Sequence, residues 1–257
     1  MTWSTPVDMS DIKNIAHWNP VLFAKGDTLY LYYKIGLHPD NWTTYVRESN
    51  DGVTWTQEHL MIEGDKVGRG PVKNKPIELS DGSVLAPASI EYSSKMPDCY
   101  VERTTDMIHW ERGKNVHSKL FVEKIQPALV ETDPGVVKMY IRTNRGRIYE
   151  STSKNYGKSF GRAKPIALYN NNSGVDVAKN NDGVLALVHN PVEENWGDRS
   201  PLIVAFSYDK GETWTKQITI ESEPGEYSYP AIIAKDNKFC VTYTYNRSLI
   251  RCTTFSL

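Results

Sequence analysis

The sequence contains few cysteines and none in a metal-binding arrangement. Its three cysteines, Cys99, Cys240 and Cys252, are an odd number and include no C-x-x-C pair. This pattern excludes a disulfide framework and a cysteine-ligated zinc site, so we expect free thiols. The histidines form no H-E-x-x-H motif, and we expect neither a metal nor another cofactor.

Long apolar runs and a strong charge of one sign are also lacking. No run approaches the roughly 20 residues that a membrane-spanning helix needs. Residues 1–6 have neither the basic nor the apolar part of a signal peptide. We therefore expect a cytoplasmic protein without membrane attachment, or a secreted one if the chain was trimmed from a precursor. The formal net charge is −1, so bulk electrostatics predicts no nucleic-acid partner.

A short turn motif is present and recurs along the chain. Residues 207–214 have the sequence S-Y-D-K-G-E-T-W. Its Asp and Gly favour a tight turn, and its Thr-Trp favours a following strand. Related copies end at Trp55, Trp110 and Phe160, and a fragment that ends at Trp3 begins the chain. We interpret the acids at the tips, Asp51, Asp106 and Asp209, as residues that stabilise these turns.

A second landmark recurs with the same period of about 50 residues. A polar residue followed by Pro or Gly opens an apolar run at positions 19–20, 75–76, 126–127, 173–174 and 229–230. Each run leads into a turn, typically with Asp-Gly, and a second strand, which is a strong hairpin signal. Helical periodicity persists nowhere. Four strands per repeat predict the blade of a β-propeller.

The repeats predict an all-β fold, a five-bladed β-propeller of four-stranded antiparallel blades. One domain, residues 1–257, would hold blades at roughly 14–60, 69–116, 123–167, 172–220 and 227–257. The last blade has three predicted strands and no tip, while the chain begins with the missing piece. We expect residues 2–7 to pair as the outer strand of the last blade and to close the ring, which protects its edges.

The tips resemble Asp boxes, also called BNR repeats, which occur in sialidases and other propeller families. Six further segments resemble a sialidase-like branch: H-W-N-P at 17–20, G-P-V-K-N-K-P at 70–76, Q-P-A-L at 126–129, N-N-S-G-V-D at 171–176, H-N-P-V at 189–192 and E-Y-S-Y-P at 226–230. The resemblance spans nearly the whole chain. It implies a sialidase-like glycoside hydrolase that acts on a terminal acidic sugar. The chain departs from true sialidases in its five blades instead of six, in lacking Arg-Ile-Pro before the first Asp box, and in having no recognisable Tyr-Glu nucleophile pair.

The starts of the inner strands are where a propeller builds its pocket, so we expect polar residues there to converge. Arg142 and Arg199 are predicted to bind the carboxylate of the sugar, because a guanidinium group matches a carboxylate bidentately. Lys73 and Lys75 would support them. The other predicted substrate-binding residues are Trp18, Asn19, Asn74, Glu91, Gln126, Asn172 and Tyr227.

Five residues are candidates for the chemistry. In a hydrolase, Asp176 or Glu226 would protonate the leaving oxygen, and a second carboxylate or a tyrosine would act as base or nucleophile. Glu91 is a further candidate for such a pair. In the alternative polysaccharide lyase, arginine or Asn172 would neutralise a uronate while His17, His189 or Tyr229 removes the neighbouring proton.

A third possibility is a non-catalytic sugar-binding propeller, which the missing Arg-Ile-Pro motif favours. All three functions predict an acidic glycan or oligosaccharide as the partner. The sequence leaves the oligomeric state open and is compatible with a monomer.

Overall fold

The computed structural model describes residues 4–92, 96–119 and 121–257. The regular secondary structure of these residues consists entirely of β-strands. There are nineteen strands, and they form five antiparallel sheets. None of the described segments is a helix long and apolar enough to cross a membrane.

Each sheet is built from consecutive strands of the chain, and within a sheet each strand pairs with the next one. Blade 1 contains β1 (His17–Lys25), β2 (Thr28–Ile35), β3 (Thr43–Ser49) and β4 (His59–Leu60). Blade 2 contains β5 (Ile77–Glu78), β6 (Val84–Ile90), β7 (Asp98–Thr104) and β8 (Glu111–Arg112). Blade 3 contains β9 (Lys124–Asp133), β10 (Val136–Thr143), β11 (Arg147–Ser153) and β12 (Lys164–Tyr169). Blade 4 contains β13 (Asp176–Lys179), β14 (Leu185–His189), β15 (Leu202–Ser207) and β16 (Lys216–Glu221). Blade 5 contains β17 (Tyr227–Lys235), β18 (Lys238–Tyr245) and β19 (Leu249–Ser256).

Consecutive blades pack face to face through apolar side chains. Alternate residues of a strand point to opposite faces, so each blade can contribute to two interfaces. Tyr140 and Trp214, for example, meet edge to face at 5.5 Å between blades 3 and 4. The prediction of a five-bladed, all-β propeller is confirmed.

The prediction for the N-terminal strand is corrected in part. Blade 5 has three strands, and residues 4–7 form no strand; Thr2 and Trp3 lie outside the described residues. The segment that follows instead covers blade 1, because Met9, Ile12 and Ile15 pack against apolar residues of β2. The Glu58 carboxylate fixes this segment by accepting backbone hydrogen bonds from Asp11 and Ile12.

The motif tips form tight turns at the outer ends of blades 1 to 4. In the fullest copy, Asp209 Oδ1 accepts hydrogen bonds from the Ser207 hydroxyl at 2.7 Å and from Thr213 N at 2.8 Å. Asp51 and Asp106 accept equivalent bonds, and Asn155 replaces them in blade 3. The interpretation of the tip acids as turn-stabilising residues is confirmed.

Candidate functional site

One unusual backbone conformation recurs once in every blade, near the start of the inner strand. Asn19, Lys73, Gln126, Asn172 and Tyr229 have φ values of 49°, 66°, 50°, 60° and 51°. This left-handed region is uncommon for residues other than glycine. Three of these residues precede a proline and lie at a register shift in the pairing of the inner strand. Such bulges re-aim side chains and are frequent next to functional sites.

Arg142 contacts three residues of this series, Gln126, Asn172 and Tyr229. It is 3% exposed near the end of β10. Its Nε donates to Asn172 Oδ1 at 2.8 Å, and its Nη1 donates to Gln126 Oε1 at 2.9 Å. Both amides belong to the left-handed series. Burial lowers the pKa of Arg142, and the neighbouring Tyr229 and Glu91 oppose this shift. The guanidinium group still carries its charge, since arginine stays protonated in proteins.

A second guanidinium group, that of Arg199, lies beside the exposed ring of Tyr229. The Arg199 Cζ is 5.2 Å from the centroid of the Tyr229 ring, and Tyr229 is 41% exposed. Arg199 Nη1 also donates to Glu226 Oε1 at 3.3 Å. Arg142 and Arg199 therefore flank one aromatic side chain that solvent can reach.

Glu226 bridges two arginines. Its Oε2 accepts a 2.5 Å hydrogen bond from Arg247 Nε, while its Oε1 accepts the bond from Arg199. The bond from Arg247 is the main cause that lowers the pKa of Glu226. The geometry thus keeps Glu226 ionised and makes it a positioning partner of the arginines. It does not fit the predicted role of an acid that protonates a leaving group.

Glu91 has the opposite electrostatics. The half-buried carboxyl group accepts a 2.7 Å hydrogen bond from the Ser89 hydroxyl, whose oxygen in turn accepts one from Gln126 N. Burial raises the pKa of Glu91, and this effect exceeds the opposing effects of Ser89 and Arg142. Glu91, unlike Glu226, is therefore suited to hold a proton near the arginines.

Asp176, the other predicted catalytic acid, makes contacts inside the scaffold that do not fit that role. It is 2% exposed, and Lys75 Nζ contacts its two oxygens at 2.9 and 2.8 Å. The same carboxylate accepts hydrogen bonds from Val177 N and Ile232 N. The ion pair and the bond from Ile232 N connect the segment before β5 to the inner strands of blades 4 and 5. The Lys75 ammonium and the Asp176 carboxylate are thus paired with each other inside the scaffold.

Lys73 and Asn74 also connect blades, and none of their described hydrogen bonds faces a ligand. Lys73 Nζ donates to Val175 O at 2.8 Å and to Pro230 O at 2.5 Å. Burial lowers its pKa to about 7. Asn74 Nδ2 donates to the carbonyl oxygens of Gln126 and Pro127. Asn74 thus supports the bulge that carries Gln126, and Lys73 supports the one that carries Tyr229. Their described contacts are with the scaffold, and the predicted contact with a sugar stays a prediction.

The described contacts of the two predicted histidine bases are with groups other than the arginine side chains. His189 is buried, its Nδ1 lies 2.8 Å from Tyr169 O, and burial lowers its pKa to about 4. His17 is exposed on blade 1, where it contacts Ile15 O and the Ser10 hydroxyl. None of the described contacts joins either residue to Arg142.

Trp18, Asn19 and Tyr227 are also predicted to bind the substrate. None of the described contacts joins them to Arg142. Tyr227 is buried in the core between blades 4 and 5. Trp18 donates from Nε1 to Gly36 O, and Asn19 follows it in the blade 1 bulge. Trp18 and His17 line a cavity of about 560 Å³ between the N-terminal segment and blade 1. This cavity is mainly apolar and has no arginine lining, so it does not fit an acidic ligand.

The site also contains Trp196, which the sequence offers as an aromatic residue able to stack on a sugar, and Asn195 and Lys34, which the predicted set did not include. Trp196 is 67% exposed and lies with its ring centroid 5.6 Å from Arg142 Cζ. Asn195 Oδ1 accepts from Asn172 Nδ2 at 3.1 Å. Both belong to the loop between β14 and β15. Its Asn-Trp-Gly sequence indicates a turn but does not indicate which part of the molecule the loop contacts. Lys34, buried near Glu91, has a pKa lowered to about 7 by burial, and nothing in its strand sequence marks it.

The assembled groups suit a negatively charged, ring-shaped ligand. Three guanidinium groups, of Arg142, Arg199 and Arg247, face the two carboxyl groups of Glu91 and Glu226, so positive charge exceeds negative charge even with both acids ionised. The rings of Trp196 and Tyr229 offer flat apolar surfaces beside it. Among the described residues, no three or more His, Cys, Asp or Glu side chains could together hold a metal ion.

Comparison with known proteins gives a family and a set of structural relatives. The model of the BNR repeat-like domain matches residues 1–241. A search of curated proteins found no significant match. The Hadza microbial sialidase Hz136 superposes with a TM-score of 0.78 at 16% identity, over 95% of this chain and 53% of that one. A Dyadobacter fermentans protein of unknown function gives a TM-score of 0.72 at 16% identity, over 90% and 72%.

A Trypanosoma rangeli sialidase superposes with a TM-score of 0.70 at 14% identity, over 93% of this chain and 44% of that one. The chain thus spans about half the length of the sialidases it matches. At such low identity the superpositions establish a shared fold and nothing about activity.

Proposed function

The chain belongs to the BNR repeat-like domain family of sialidase-like β-propellers, and from this we propose that it is a glycoside hydrolase that removes a terminal acidic sugar from a glycan. The observation that carries the proposal is the buried Arg142, held by Gln126 and Asn172 beside Arg199. Fixing a guanidinium group so firmly away from solvent requires a partner of opposite charge, and a sugar carboxylate supplies one.

Binding would begin with the carboxylate. Arg142 is pre-oriented by two hydrogen bonds, so little side-chain entropy is lost when it pairs with a ligand. Arg199 is oriented by Glu226 and would contact the same carboxylate. The sugar ring would lie against Tyr229 or Trp196, because an aromatic face packs well on the apolar side of a pyranose ring.

Bond cleavage would use Glu91 and Tyr229. Glu91, with its raised pKa, would donate its proton to the leaving glycosidic oxygen. The Tyr229 oxygen would attack the anomeric carbon while its proton passes to solvent water, which reaches this exposed residue. Water would later release the sugar with Glu91 as the base, and Tyr229 would regain a proton from solvent. The arginines would hold the carboxylate next to that carbon and would offset its charge during both steps.

A sugar-binding propeller without catalysis is the second candidate, and one observation favours it. The polar side chains that flank Tyr229 in the described contacts are cationic, Arg142 and Arg199, and the two amide partners of Arg142, Asn172 and Gln126, are neutral. A tyrosine nucleophile needs a base that takes its proton. The lyase has weaker support, because no described contact joins His17 or His189 to the arginines, which leaves Tyr229 as its predicted base.

The test is release of sugar from a fluorogenic α-glycoside of N-acetylneuraminic acid and from sialyllactose. We expect hydrolysis by the wild-type protein and a loss of kcat/KM of about 100-fold in Arg142→Ala, the size of a charge-assisted bidentate contact. Arg145→Ala is the matched control, since this exposed arginine follows in the next turn and donates to Phe121 O. It should change kcat/KM less than about 2-fold.

Each other outcome is informative. Binding of N-acetylneuraminate in calorimetry without turnover selects the sugar-binding candidate. A product with a new ultraviolet band, from a uronate glycan, selects elimination. Neither binding nor turnover, or full activity in a folded Arg142→Ala variant, overturns an acidic-sugar function for this site.

A further inference from the structure

Two cysteines lie side by side on the last blade, on neighbouring strands. Cys240 belongs to β18 and Cys252 to β19, and their sulfur atoms are 3.3 Å apart. The strand register pairs Thr242 with Cys252 and Cys240 with Thr254. Both cysteines therefore project from the same face of the sheet, as diagonal neighbours.

This face of blade 5 is open to solvent. Phe239, Val241 and Tyr243 point to the other face, into the core shared with blade 4. On the cysteine side, Ile233 and Ile250 are 56% and 64% exposed. Both thiols are half-buried, so a small dissolved reagent can reach them. The third cysteine, Cys99, is instead fully buried in the core between blades 2 and 3.

We propose that Cys240 and Cys252 form a reversible disulfide bond by exchange with a low-molecular-weight disulfide such as oxidised glutathione. The sulfurs need to approach by about 1.3 Å to reach a covalent S–S distance of about 2.05 Å. Because the cysteines are diagonal neighbours, closing this gap requires rotation of both side chains together with a shift of the two strands toward each other. The bond would join residues that are 12 positions apart in the sequence. The loop that it closes contains the β18–β19 turn with Arg247.

The exchange proceeds in two balanced steps. The Cys252 thiolate attacks one sulfur of the reagent and forms a mixed disulfide with that half, while the other half leaves as a thiolate and takes up the proton that Cys252 lost. Cys240 then loses its proton and attacks the Cys252 sulfur, and the second half of the reagent leaves as a thiol. Two protein thiols are oxidised and one reagent disulfide is reduced to two thiols.

Cys240 is the thiol that reacts second. Burial, and then the contact with Cys252, raises the pKa of Cys240 to about 11. A thiol with a raised pKa contributes little thiolate near neutral pH. Cross-linking should therefore accelerate as the pH rises from 7 to 9, by about 10-fold per pH unit in the step limited by Cys240.

Trypsin provides a direct assay. Cleavage after Lys238, Arg247 and Arg251 places the two cysteines in separate peptides, 239–247 and 252–257. After treatment of the full chain with oxidised glutathione, a non-reducing digest should contain these peptides joined, at a mass about 2 Da below their sum. Dithiothreitol should restore the separate peptides. The intact oxidised chain should melt about 5–10 °C higher than the reduced one.

Three variants make the result decisive. Cys240→Ser and Cys252→Ser should each abolish the cross-link and the shift in melting temperature, while Cys99→Ser should preserve both. Stable glutathione adducts on Cys240 or Cys252 without the joined peptides would overturn the proposal. Joined peptides that appear only in a covalent dimer would overturn it as well.

Discussion

Single residues near the site hold backbone conformations that most side chains avoid. Gln126 and Tyr229 have φ values of 50° and 51°, each at a cost of about 1–3 kcal/mol. Packing of the blades on either side offsets this cost. In return the bulge fixes the Gln126 side chain against Arg142, and the site is formed before any ligand arrives.

Local sequence identified part of this cluster but not all of it. Gln126 and Asn172 are predicted to converge because they lie at the starts of inner strands, and Arg142 is predicted beside them because it ends a second strand next to that pocket; the structure joins all three. Asp176 has the same kind of position, yet it pairs with Lys75, 101 residues earlier. Burial and partners at that distance follow from how the blades pack, and no single repeat encodes them. Glu91 likewise differs from Glu226 only through its environment.

Replacement of Glu91 tests its role at the residue scale. A general acid works while it is protonated, so activity should be lost as the pH rises through the raised pKa of Glu91. Glu91→Gln should lower kcat about 100-fold at the optimum, with a small change in KM, and should remove the alkaline limb of the pH profile. The profile is measured as kcat/KM from pH 4 to 9.

The control is the exposed Glu111→Gln, which should keep the wild-type profile. An unchanged alkaline limb in a folded Glu91→Gln variant would exclude Glu91 as the acid.

At the scale of elements, the hairpin tips are the part that sequence predicts best. All the bonds that shape the tip at Asp209 lie within four residues, so the local sequence is sufficient. The N-terminal segment shows the opposite case. Its predicted strand resembles a tip, but the apolar residues just after it, Met9, Ile12 and Ile15, find a surface on blade 1. That surface exists only after β2 has folded into its sheet.

The tip at Asp209 predicts a pH-dependent contribution to stability. Bonds from the Thr213 hydroxyl, and then from Thr213 N, lower the pKa of Asp209 from 3.8 to about 2. A depressed folded-state pKa means that the contribution is complete above about pH 4 and is lost as the pH falls toward 2. Asp209→Ala should therefore lower Tm by about 2–4 °C at pH 6, with a smaller difference near pH 2.

Blade 3 supplies the matched comparison, because Asn155 makes the corresponding bonds without charge. Asp209→Asn should lie between the wild type and Asp209→Ala at pH 6, and differential scanning calorimetry measures all three. A Tm difference for Asp209→Ala that grows as the pH falls would contradict the assignment.

At the scale of the whole molecule, ionic contacts near the inner strands connect blades that are not neighbours. Lys75, in the segment before β5, pairs with Asp176 of blade 4, and the same carboxylate binds Ile232 N of blade 5. Repeat periodicity predicts the number of blades. It does not predict these ties, because each is made by residues that differ between repeats.

Loss of the Asp176 tie should destabilise the protein without removing its chemistry. Asp176→Ala leaves Lys75 without its carboxylate, and we expect a loss of about 3 kcal/mol in the free energy of unfolding, measured in urea. Glu78→Ala removes the exposed Lys25–Glu78 pair between blades 1 and 2 and should cost less than about 1 kcal/mol.

Hydrolysis of the fluorogenic sialoside, measured well below the melting temperature of Asp176→Ala, should stay within about 3-fold of the wild type. A folded Asp176→Ala variant with wild-type stability and no activity would restore Asp176 as a catalytic residue.

The left-handed residue that recurs in each blade has a consequence for how this molecule can diversify. In three blades a bulge and a following proline accompany the conformation, and five positions already carry four different side chains: Asn19, Lys73, Gln126, Asn172 and Tyr229. In Gln126, Asn172 and Tyr229, one backbone conformation thus presents three different side chains to the same arginine, Arg142. Ligand preference can change by one substitution at a time while the framework that aims the side chain stays the same.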